Sequence, residues 1–387
     1  MISFENTEIA FRYKSNSDLK RAYYLFKIIA SPALGIIGKI LTNIALGLYI
    51  PLGWVIKPTL YRHFVGGETI AECEPAIRNM AKYGVKSILD YSVEGGKDAK
   101  TMQRTMEETL RSVVNAGKDK DIPFSVFKPT AFASAAALTI ASEKGLDAPE
   151  IVNEMKRFLE SVEILCKTAF ENNIPIMIDA EDSCYQPVVD LVVTAMMEKY
   201  NAKKAIVYNT LQMYRTDRLD FLKQSLKKAE EGNYYYGVKF VRGAYMEKER
   251  KRAAEKGYPS PIQPDKPATD AAYDAALTFS VQHIDRVSIF NGSHNEISNR
   301  HLTELMEQHG LEKNDNRIWF SQLYGMSDHI SFALADQGYN IVKYVPYGPV
   351  RNILPYLIRR AEENTSIAGQ TGRELKLIAQ EKVRRGI

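Results

Sequence analysis

The chain has 387 residues, of which 45% are hydrophobic and 25% are charged. This composition is typical of a globular protein with a sizeable core, and it excludes a disordered, collagenous or multi-span membrane chain. The formal net charge of +4 is too small to indicate nucleic-acid binding. The 3 cysteines include no C-x-x-C pair, so we expect neither a disulfide framework nor a metal site, and a reducing compartment fits best.

One apolar segment, Ile28–Ile56, stands out from this composition. Acidic and basic residues are mixed before it, so it lacks the basic start of a signal peptide. Its uncharged part, Ile40–Ile56, contains Pro51 and is short against the roughly 20 residues that a membrane-spanning helix needs. We therefore expect helices that pack against the rest of the protein or lie in a membrane surface.

After about Thr69, short apolar runs alternate with longer stretches of helical period. The predicted strands are Lys86–Ser92, Pro123–Lys128, Ile174–Asp179, Lys204–Tyr208, Gly237–Val241, Arg286–Asn291, Arg317–Ser321 and Asn340–Val345. Because each strand is followed by a helical pattern, the sequence predicts an α/β fold, a (β/α)8 TIM-like barrel with an N-terminal helical arm. A doubly wound sheet is the alternative, but the sequence contains no G-x-G-x-x-G turn.

The connection after the fifth predicted strand is longer than usual for a barrel. Its first part, Met246–Lys256, is dense in Glu, Lys and Arg, and a Pro-rich stretch, Tyr258–Pro267, follows. Two interpretations stay open at this point. The segment is either a mobile lid or a solvated extension of the next helix, since runs of charge are commonly solvated faces.

Polar residues stand where the predicted strands end, which is where a barrel collects its functional groups. They are Asp90, Lys128, Asp179, Glu181, Gln212, Lys239, Arg242, Ser293, His294, Asn295, Gln322, Tyr344 and Tyr347. Cations at this position suit a pyrophosphate or a flavin that becomes negative on reduction, and the Gly243-Ala244 pair lets a ligand approach the backbone. The structural alternative is that Lys239 or Arg242 forms an ion pair with Asp179 or Glu181.

The last predicted helix of the barrel carries a second group of polar residues. Arg359 and Arg360 are adjacent, Tyr356 lies one turn before them and Glu363 one turn after. Two guanidinium groups that converge form a fork for a substrate carboxylate. The alternative is a solvated basic pair that is balanced by Glu362 and Glu363.

Seven segments together resemble the proline dehydrogenase family. They are L-D-Y-S-V-E-G at Leu89–Gly95, F-K-P-T-A at Phe127–Ala131, I-D-A-E at Ile178–Glu181, N-T-L-Q-M-Y at Asn209–Tyr214, V-R-G-A-Y at Val241–Tyr245, S-H-N at Ser293–Asn295, and the tyrosine and double-arginine motif that ends at Asn364. The resemblance is closest to the monofunctional branch and extends to the proline dehydrogenase domain of proline utilisation A.

The resemblance implies an FAD enzyme on a distorted barrel. Such an enzyme oxidises L-proline to Δ1-pyrroline-5-carboxylate, the first step of proline degradation to glutamate, and passes the electrons to a membrane quinone. It implies a cytoplasmic location, peripheral on the inner membrane, or a mitochondrial one in a eukaryote. The expected organisation is an N-terminal helical arm over 1–68, a catalytic flavin-binding barrel over 69–370 and a C-terminal helical tail over 371–387.

The resemblance also implies roles for individual residues. The substrate carboxylate is expected on Lys128, Arg359 and Arg360, and the proline ring on Leu323, Tyr344 and Tyr356. Asp179 is expected to orient the arginines and tyrosines, and Lys239 to lie beside the flavin. The expected FAD contacts are Ala180, Gln212, Val241, Arg242, Gly243, Ala244, Ser293, His294, Asn295 and Glu363. Which of Lys239 and Arg242 is the principal flavin contact stays open.

Three other functions would each account for part of the sequence. Lys128 at a strand end is also what a Schiff-base lyase of the class I aldolase type requires, with Asp179 and Glu181 as acid and base. A metal-dependent lyase using Asp179, Glu181 and His294 is less favoured, because a single histidine makes a poor ligand set. A membrane-associated scaffold explains the apolar segment but leaves the polar strand ends without a purpose.

Overall fold

Eight short strands alternate with helices along the chain, in a computed structural model that describes residues 2–29, 57–92, 99–366 and 370–387. The strands are β1 Lys86–Tyr91, β2 Ser125–Phe127, β3 Ile176–Ile178, β4 Val207–Gln212, β5 Tyr236–Val241, β6 Val287–Gly292, β7 Ile318–Leu323 and β8 Ile341–Tyr347. They form one sheet in the order β1-β8-β7-β6-β5-β4-β3-β2. Parallel pairing joins β1 to β8 and each of β2 to β6 to the next strand. The prediction of an α/β (β/α)8 barrel is confirmed.

The helices fall between these strands and at both ends of the chain. They are α1 Thr7–Phe11, α2 Asn16–Ile29, α3 Arg62–Phe64, α4 Ile70–Ala81, α5 Ala99–Lys118, α6 Ala135–Lys144, α7 Val152–Glu171, α8 Gln186–Tyr200, α9 Arg218–Glu231, α10 Met246–Lys256, α11 Lys266–Gln282, α12 Glu296–Gln308, α13 Asp328–Asp336, α14 Val350–Ser366 and α15 Gln370–Arg384. A π-helical turn, Lys57–Tyr61, precedes α3. Among the described residues, no helix is both long and apolar enough to cross a bilayer.

The fourth strand lies later in the chain than its prediction of Lys204–Tyr208. It runs over Val207–Gln212 and includes polar residues beyond the predicted end of the strand. Asn209 is buried because its amide donates to Asp190 on α8 at 2.9 Å. Gln212 is buried because its amide donates to the carbonyl of Glu181 at 2.7 Å. Buried amides with partners are stable inside a sheet, so hydrophobicity alone misplaced this strand.

The chain divides into two compact units, and the first comprises residues 95–321. Inside it, three aromatic rings pack around Phe124, which lies just before β2. The Phe124 ring lies 5.7 Å from Tyr208, 5.1 Å from Phe290 and 5.3 Å from Trp319 between ring centroids, all edge to face. Edge-to-face rings of this kind pack closely, and the indole N–H of Trp319 is satisfied because it donates to the carbonyl of Asn316 at 3.1 Å.

The second unit comprises residues 2–94 and 322–387. It brings the two ends of the chain together: Leu19, Phe26, Leu377 and Ile378 belong to one buried cluster. Arg385 donates to the carbonyls of Phe11 and Lys14, each at 2.8 Å. The prediction that the N-terminal arm ends at 68 and the tail begins at 371 stays a prediction. The apolar segment Ile28–Ile56 lies, from residue 30 on, outside the described residues.

A buried ionic group also stabilises this second unit. Asp328, at the start of α13, lies 2.9 Å from the Lys343 ammonium of β8 and 3.3 Å from that of Lys14. The Tyr13 hydroxyl donates to Asp328 at 2.8 Å. Burial alone raises the pKa of Asp328, but the two lysines outweigh it and hold that pKa well below its usual range. Tyr13 and Lys14 are therefore bound to Asp328 of α13, which also pairs with Lys343 of β8.

Candidate active site

A cluster of three charged side chains lies where β2, β3 and β5 end or approach their ends. Lys128 directly follows β2 and its Nζ lies 2.6 Å from Asp179 Oδ2. Lys239, within β5, donates its Nζ to Asp179 Oδ1 at 2.7 Å. Asp179 and Lys239 are 7% and 6% exposed, whereas the Lys128 side chain is 25% exposed. Three predicted site residues are therefore brought together, and the structural ion pair considered for Lys239 exists.

The charges of this cluster determine its protonation. Burial alone raises the pKa of Asp179, but Lys128 and Lys239 outweigh burial and hold that pKa well below its usual range. Asp179 is thus an anion at neutral pH and cannot act as a proton acceptor with a pKa near 7. Two cations and one anion give the cluster a net charge of +1, which suits a ligand that carries or acquires negative charge.

A second carboxylate, Glu181, lies in the segment that follows β3. It accepts hydrogen bonds from the hydroxyl of Thr130 at 2.5 Å and from that of Tyr245 at 3.4 Å. Its own backbone N–H donates to Gln186 Oε1 at 2.8 Å, and its carbonyl accepts from the predicted site residue Gln212. Burial is the main reason that the pKa of Glu181 is raised. The backbone of this segment is therefore fixed from two sides.

Arg242, just beyond β5, is held by the helices that follow. Its Nε donates to Asp270 at 2.7 Å, and its two terminal nitrogens donate to Ser293 and Ser298, each at 2.9 Å. The guanidinium also lies 4.4 Å from the ring centroid of Tyr273. Arg242 and Ser293, both predicted cofactor contacts, are thus brought together, and Arg242 joins the end of β5 to α11 and α12.

The backbone after Arg242 requires glycine. Gly243 has φ of +128°, and a Cβ there would lie 2.5 Å from the ring of Tyr214. Gly243 and Ala244 are both exposed, so a ligand can approach this backbone closely. At the end of β6, Asn295 caps α12 by accepting from the N–H groups of Ile297 at 2.8 Å and Ser298 at 3.2 Å. Ala180, Val241 and His294 are partly exposed at the same strand ends.

The second unit contains the remaining predicted substrate residues. The Arg360 guanidinium lies 5.1 Å from the ring centroid of Tyr356, and both residues are buried. Leu323 packs against the apolar cluster that includes Tyr356, and Tyr344 is buried in β8. Arg359 and Glu363 belong to α14, but their side chains are outside the described part of the structure. Within this unit the structure therefore brings Arg360, Tyr356 and Leu323 together.

Comparison with known proteins identifies the family. The family model described as proline dehydrogenase matches residues 73–373. The carbapenem antibiotics biosynthesis protein CarD of Pectobacterium carotovorum is 35% identical over 83% of this chain and 83% of that protein. The chain belongs to the proline dehydrogenase family. The prediction that it is an enzyme of this family is confirmed.

Other relatives of this proline dehydrogenase family member are longer than the chain. Human mitochondrial proline dehydrogenase 1 is 41% identical over 60% of this chain and 39% of its own length. Proline utilisation A from Bdellovibrio bacteriovorus, solved after inactivation by N-propargylglycine, is 20% identical, with a TM-score of 0.73 over 96% of this chain and 40% of that one. At that identity the likeness shows the fold. The chain thus spans about two fifths of the length of these two relatives.

Several residues that support the site were missed by the sequence reasoning. Asp270 neutralises Arg242, Gln186 holds the backbone of Glu181, and Glu249 on α10 binds Ser183. No local pattern marks them: Asp270 and Glu249 lie 28 and 66 residues from their partners, and Gln186 stands in a helix whose approach to Glu181 only the fold shows. Thr130 is the exception: it lies inside the F-K-P-T-A motif, so the motif itself was the signal.

Proposed function

We propose that this enzyme uses FAD to oxidise L-proline to Δ1-pyrroline-5-carboxylate and passes the electrons to a membrane quinone, as the first step of proline degradation to glutamate. The observation that carries the proposal is the Lys128–Asp179–Lys239 cluster at the strand ends of a barrel of this family. The two lysines of this cluster suit both the carboxylate of an amino acid and a cofactor that gains electrons.

The residues at the ends of β4, β5 and β6 fit a flavin nucleotide. Lys239 supplies a buried cation, and Gly243 and Ala244 expose backbone for a close approach. Beside Lys239 in the sheet register, Thr210 Oγ1 is buried with no hydrogen-bond partner among the described residues, as expected beside a polar ligand. We assign the FAD contacts to the ten residues named from the family resemblance, Ala180 to Glu363.

Arg242 and Lys239 have different roles in this proposal. All three nitrogen groups of Arg242 already donate to side chains of α11, α12 or the segment before α12. Lys239 lies inside the barrel strand, and its Nζ donates to Asp179. We therefore assign the principal flavin contact to Lys239, and to Arg242 the task of holding Ser293 and the start of α12 in place.

FAD, when bound, supplies the hydride acceptor for this reaction. The chain's own residues then have to orient the amino acid and exclude water, which is how positioning lowers the barrier of a hydride transfer. Asp179 is the positioning anion, because it fixes both lysines and remains ionised. In the second unit, Arg360 and Arg359 are assigned to the substrate carboxylate, and Tyr344, Tyr356 and Leu323 to the ring. Lys128 is assigned to the carboxylate as well.

The Schiff-base lyase is the second candidate, and the structure offers an observation that weighs against it. A lysine forms a Schiff base only as the neutral amine. Lys128 is in contact with an anionic Asp179 at 2.6 Å, which stabilises the ammonium form. For the metal-dependent lyase, no group of three or more His, Cys, Asp and Glu side chains in the described ranges is arranged to hold a metal ion.

The purified protein provides a direct test. We expect a yellow protein whose flavin absorbance is bleached anaerobically by L-proline. Arg360→Met should raise the KM for proline at least tenfold while FAD is retained, because a guanidinium bound to a carboxylate is worth about 1.5–3 kcal/mol. A colourless protein that added FAD does not reconstitute would refute the proposal and favour the lyase.

The electron acceptor and the location complete the proposal. We assign contact with a membrane surface to the segment Ile28–Ile56, since a quinone is dissolved in the bilayer. A location on the cytoplasmic face of an inner membrane, or in mitochondria, follows from the same reasoning. Co-sedimentation with lipid vesicles and reduction of a quinone dissolved in them are the measurements that test this assignment.

A further inference from the structure

Helix α10 packs against the rest of the first unit almost entirely through polar contacts. Of its 11 residues, only Glu249 and Ala253 are buried. A helix that buries so little apolar surface gains little from the hydrophobic effect. Its position therefore depends on hydrogen bonds and ion pairs, and elements held in this way are the ones that open most readily.

Three polar contacts from α10 and its N-cap residue Tyr245 reach the segment that follows β3, while Arg250 donates to the carbonyls of Gln263 and Pro264. Three consecutive residues of that segment each receive one partner: Glu181 accepts from Tyr245 at 3.4 Å, Asp182 accepts from Lys248 at 2.5 Å, and Ser183 donates to Glu249. The Lys248 side chain is 65% exposed, so its ion pair contributes little. Glu249 is 2% exposed and accepts both the N–H and the hydroxyl of Ser183, each at 2.5 Å. Glu249 is thus the strongest of the three attachments.

Glycines in a conformation that other residues rarely adopt flank α10 on both sides. Gly243, three residues before the helix, has φ of +128°, and Gly257, at its C-terminal cap, has φ of +70°. Glycine can move between backbone regions at low cost, which is what a hinge requires. A helix that is held by polar contacts on one face and flanked by glycines can move as a unit.

We propose that Glu249 is a positioning residue that latches α10 onto the Asp179–Ser183 segment, so that α10 acts as a hinged lid that slows release of the flavin nucleotide. The segment beneath the latch includes Asp179 and Ala180, and the strand end that leads into α10 includes Gly243 and Ala244. All four belong to the site described above. The identity of the ligand rests on the proposed function, whereas the latch itself rests only on the contacts of Glu249 with Ser183.

The test uses Glu249→Gln in the complete protein. Glutamine has nearly the same shape, but it offers one acceptor oxygen, and its amide faces a Ser183 donor, so at least one hydrogen bond is lost. The matched control is Glu247→Gln, the same change on an exposed residue of the same helix. Ser183→Ala, which removes only the hydroxyl donor, is the second variant and should change the same measurements in the same direction.

Two measurements separate the latch from the cofactor. First, hydrogen exchange of the α10 backbone should be about ten- to a hundredfold faster in Glu249→Gln than in Glu247→Gln, with or without FAD, because a hydrogen bond to a charged group is lost. Second, FAD release after dilution, followed by flavin fluorescence, should accelerate by a similar factor in Glu249→Gln only.

Each outcome decides one part of the inference. Equal α10 exchange in the two variants overturns the latch. Faster exchange with unchanged FAD release overturns the lid and leaves Glu249 a structural contact. If the unaltered protein binds no FAD, the proposed function and the retention role both fail, and the exchange measurement alone still decides whether Glu249 latches α10.

Discussion

The Lys128–Asp179–Lys239 cluster allows a quantitative test by a double-mutant cycle. Asp179→Asn removes the anion from between two ammonium groups that lie 2.6 and 2.7 Å from its oxygens. Breaking a buried ion pair by removing one partner costs about 3–5 kcal/mol, because a buried charge is left uncompensated. Lys128 is partly hydrated, so most of this loss should come from Lys239. We therefore expect Asp179→Asn to lower the free energy of unfolding by about 3–5 kcal/mol.

The second substitution of the cycle is Lys239→Met, which fills the same space without a charge. If Asp179→Asn destabilises mainly through Lys239, the double variant should recover part of the loss, giving a coupling energy of about 1–3 kcal/mol. Urea-induced unfolding followed by circular dichroism measures all four proteins. The control is Lys251→Met, because Lys251 forms an exposed pair with Glu255 at 3.7 Å and should change stability by less than about 0.5 kcal/mol. Losses that add within about 0.5 kcal/mol would contradict the reasoning.

Three further predictions concern the second unit, the β5 end and the reaction. The pKa of Asp328 is lowered on folding, so its contribution to stability is present above about pH 4 and is lost as the pH falls further. In a plot of melting temperature against pH, Asp328→Asn should therefore show a smaller decrease at acid pH than the unaltered protein. Parallel plots for the two proteins would count against this prediction. Gly243→Ala should lower the free energy of unfolding, measured by urea titration, by about 1–3 kcal/mol. The reasons are the positive φ at this position and the ring of Tyr214, which lies too close for a Cβ. An unchanged urea midpoint would show that the turn relaxes freely. The rate of flavin reduction by proline, measured by stopped-flow absorbance, should increase with pH, because the amine of proline has to be neutral when the hydride leaves. A rate that does not change with pH would contradict the requirement for a neutral amine.

The sequence predicted the barrel because its evidence is local and repeated. Each strand buries a short apolar run and each helix an apolar face, so the alternation of the two patterns is visible without knowledge of the fold. The same logic located Lys128, Asp179 and Lys239, since strand ends converge in any parallel barrel. Only the fold could show that the two lysines bind one carboxylate.

Other features depended on contacts that no local pattern reveals. The fourth strand was misplaced because Asn209 and Gln212 look solvated until their partners on α8 and after β3 are known. The charged run Met246–Lys256 left a lid and a solvated helix open as interpretations. The structure makes it a helix, and the one buried carboxylate, Glu249, distinguishes it from a simple extension. The run contains eight charged residues, and nothing in the sequence distinguishes Glu249 from the others.

The joining of the two chain ends in the second unit also bears on how the protein is made. The first unit, residues 95–321, is continuous in the sequence. The second needs α15, whose Leu377 and Ile378 cover Leu19 and Phe26 of α2. At about 5–20 residues per second, the apolar face of α2 waits roughly 20–70 seconds on the ribosome for its partner. During that interval the apolar face of α2, with Leu19, Ala22 and Phe26, lacks its cover, and we expect chaperones to bind this face.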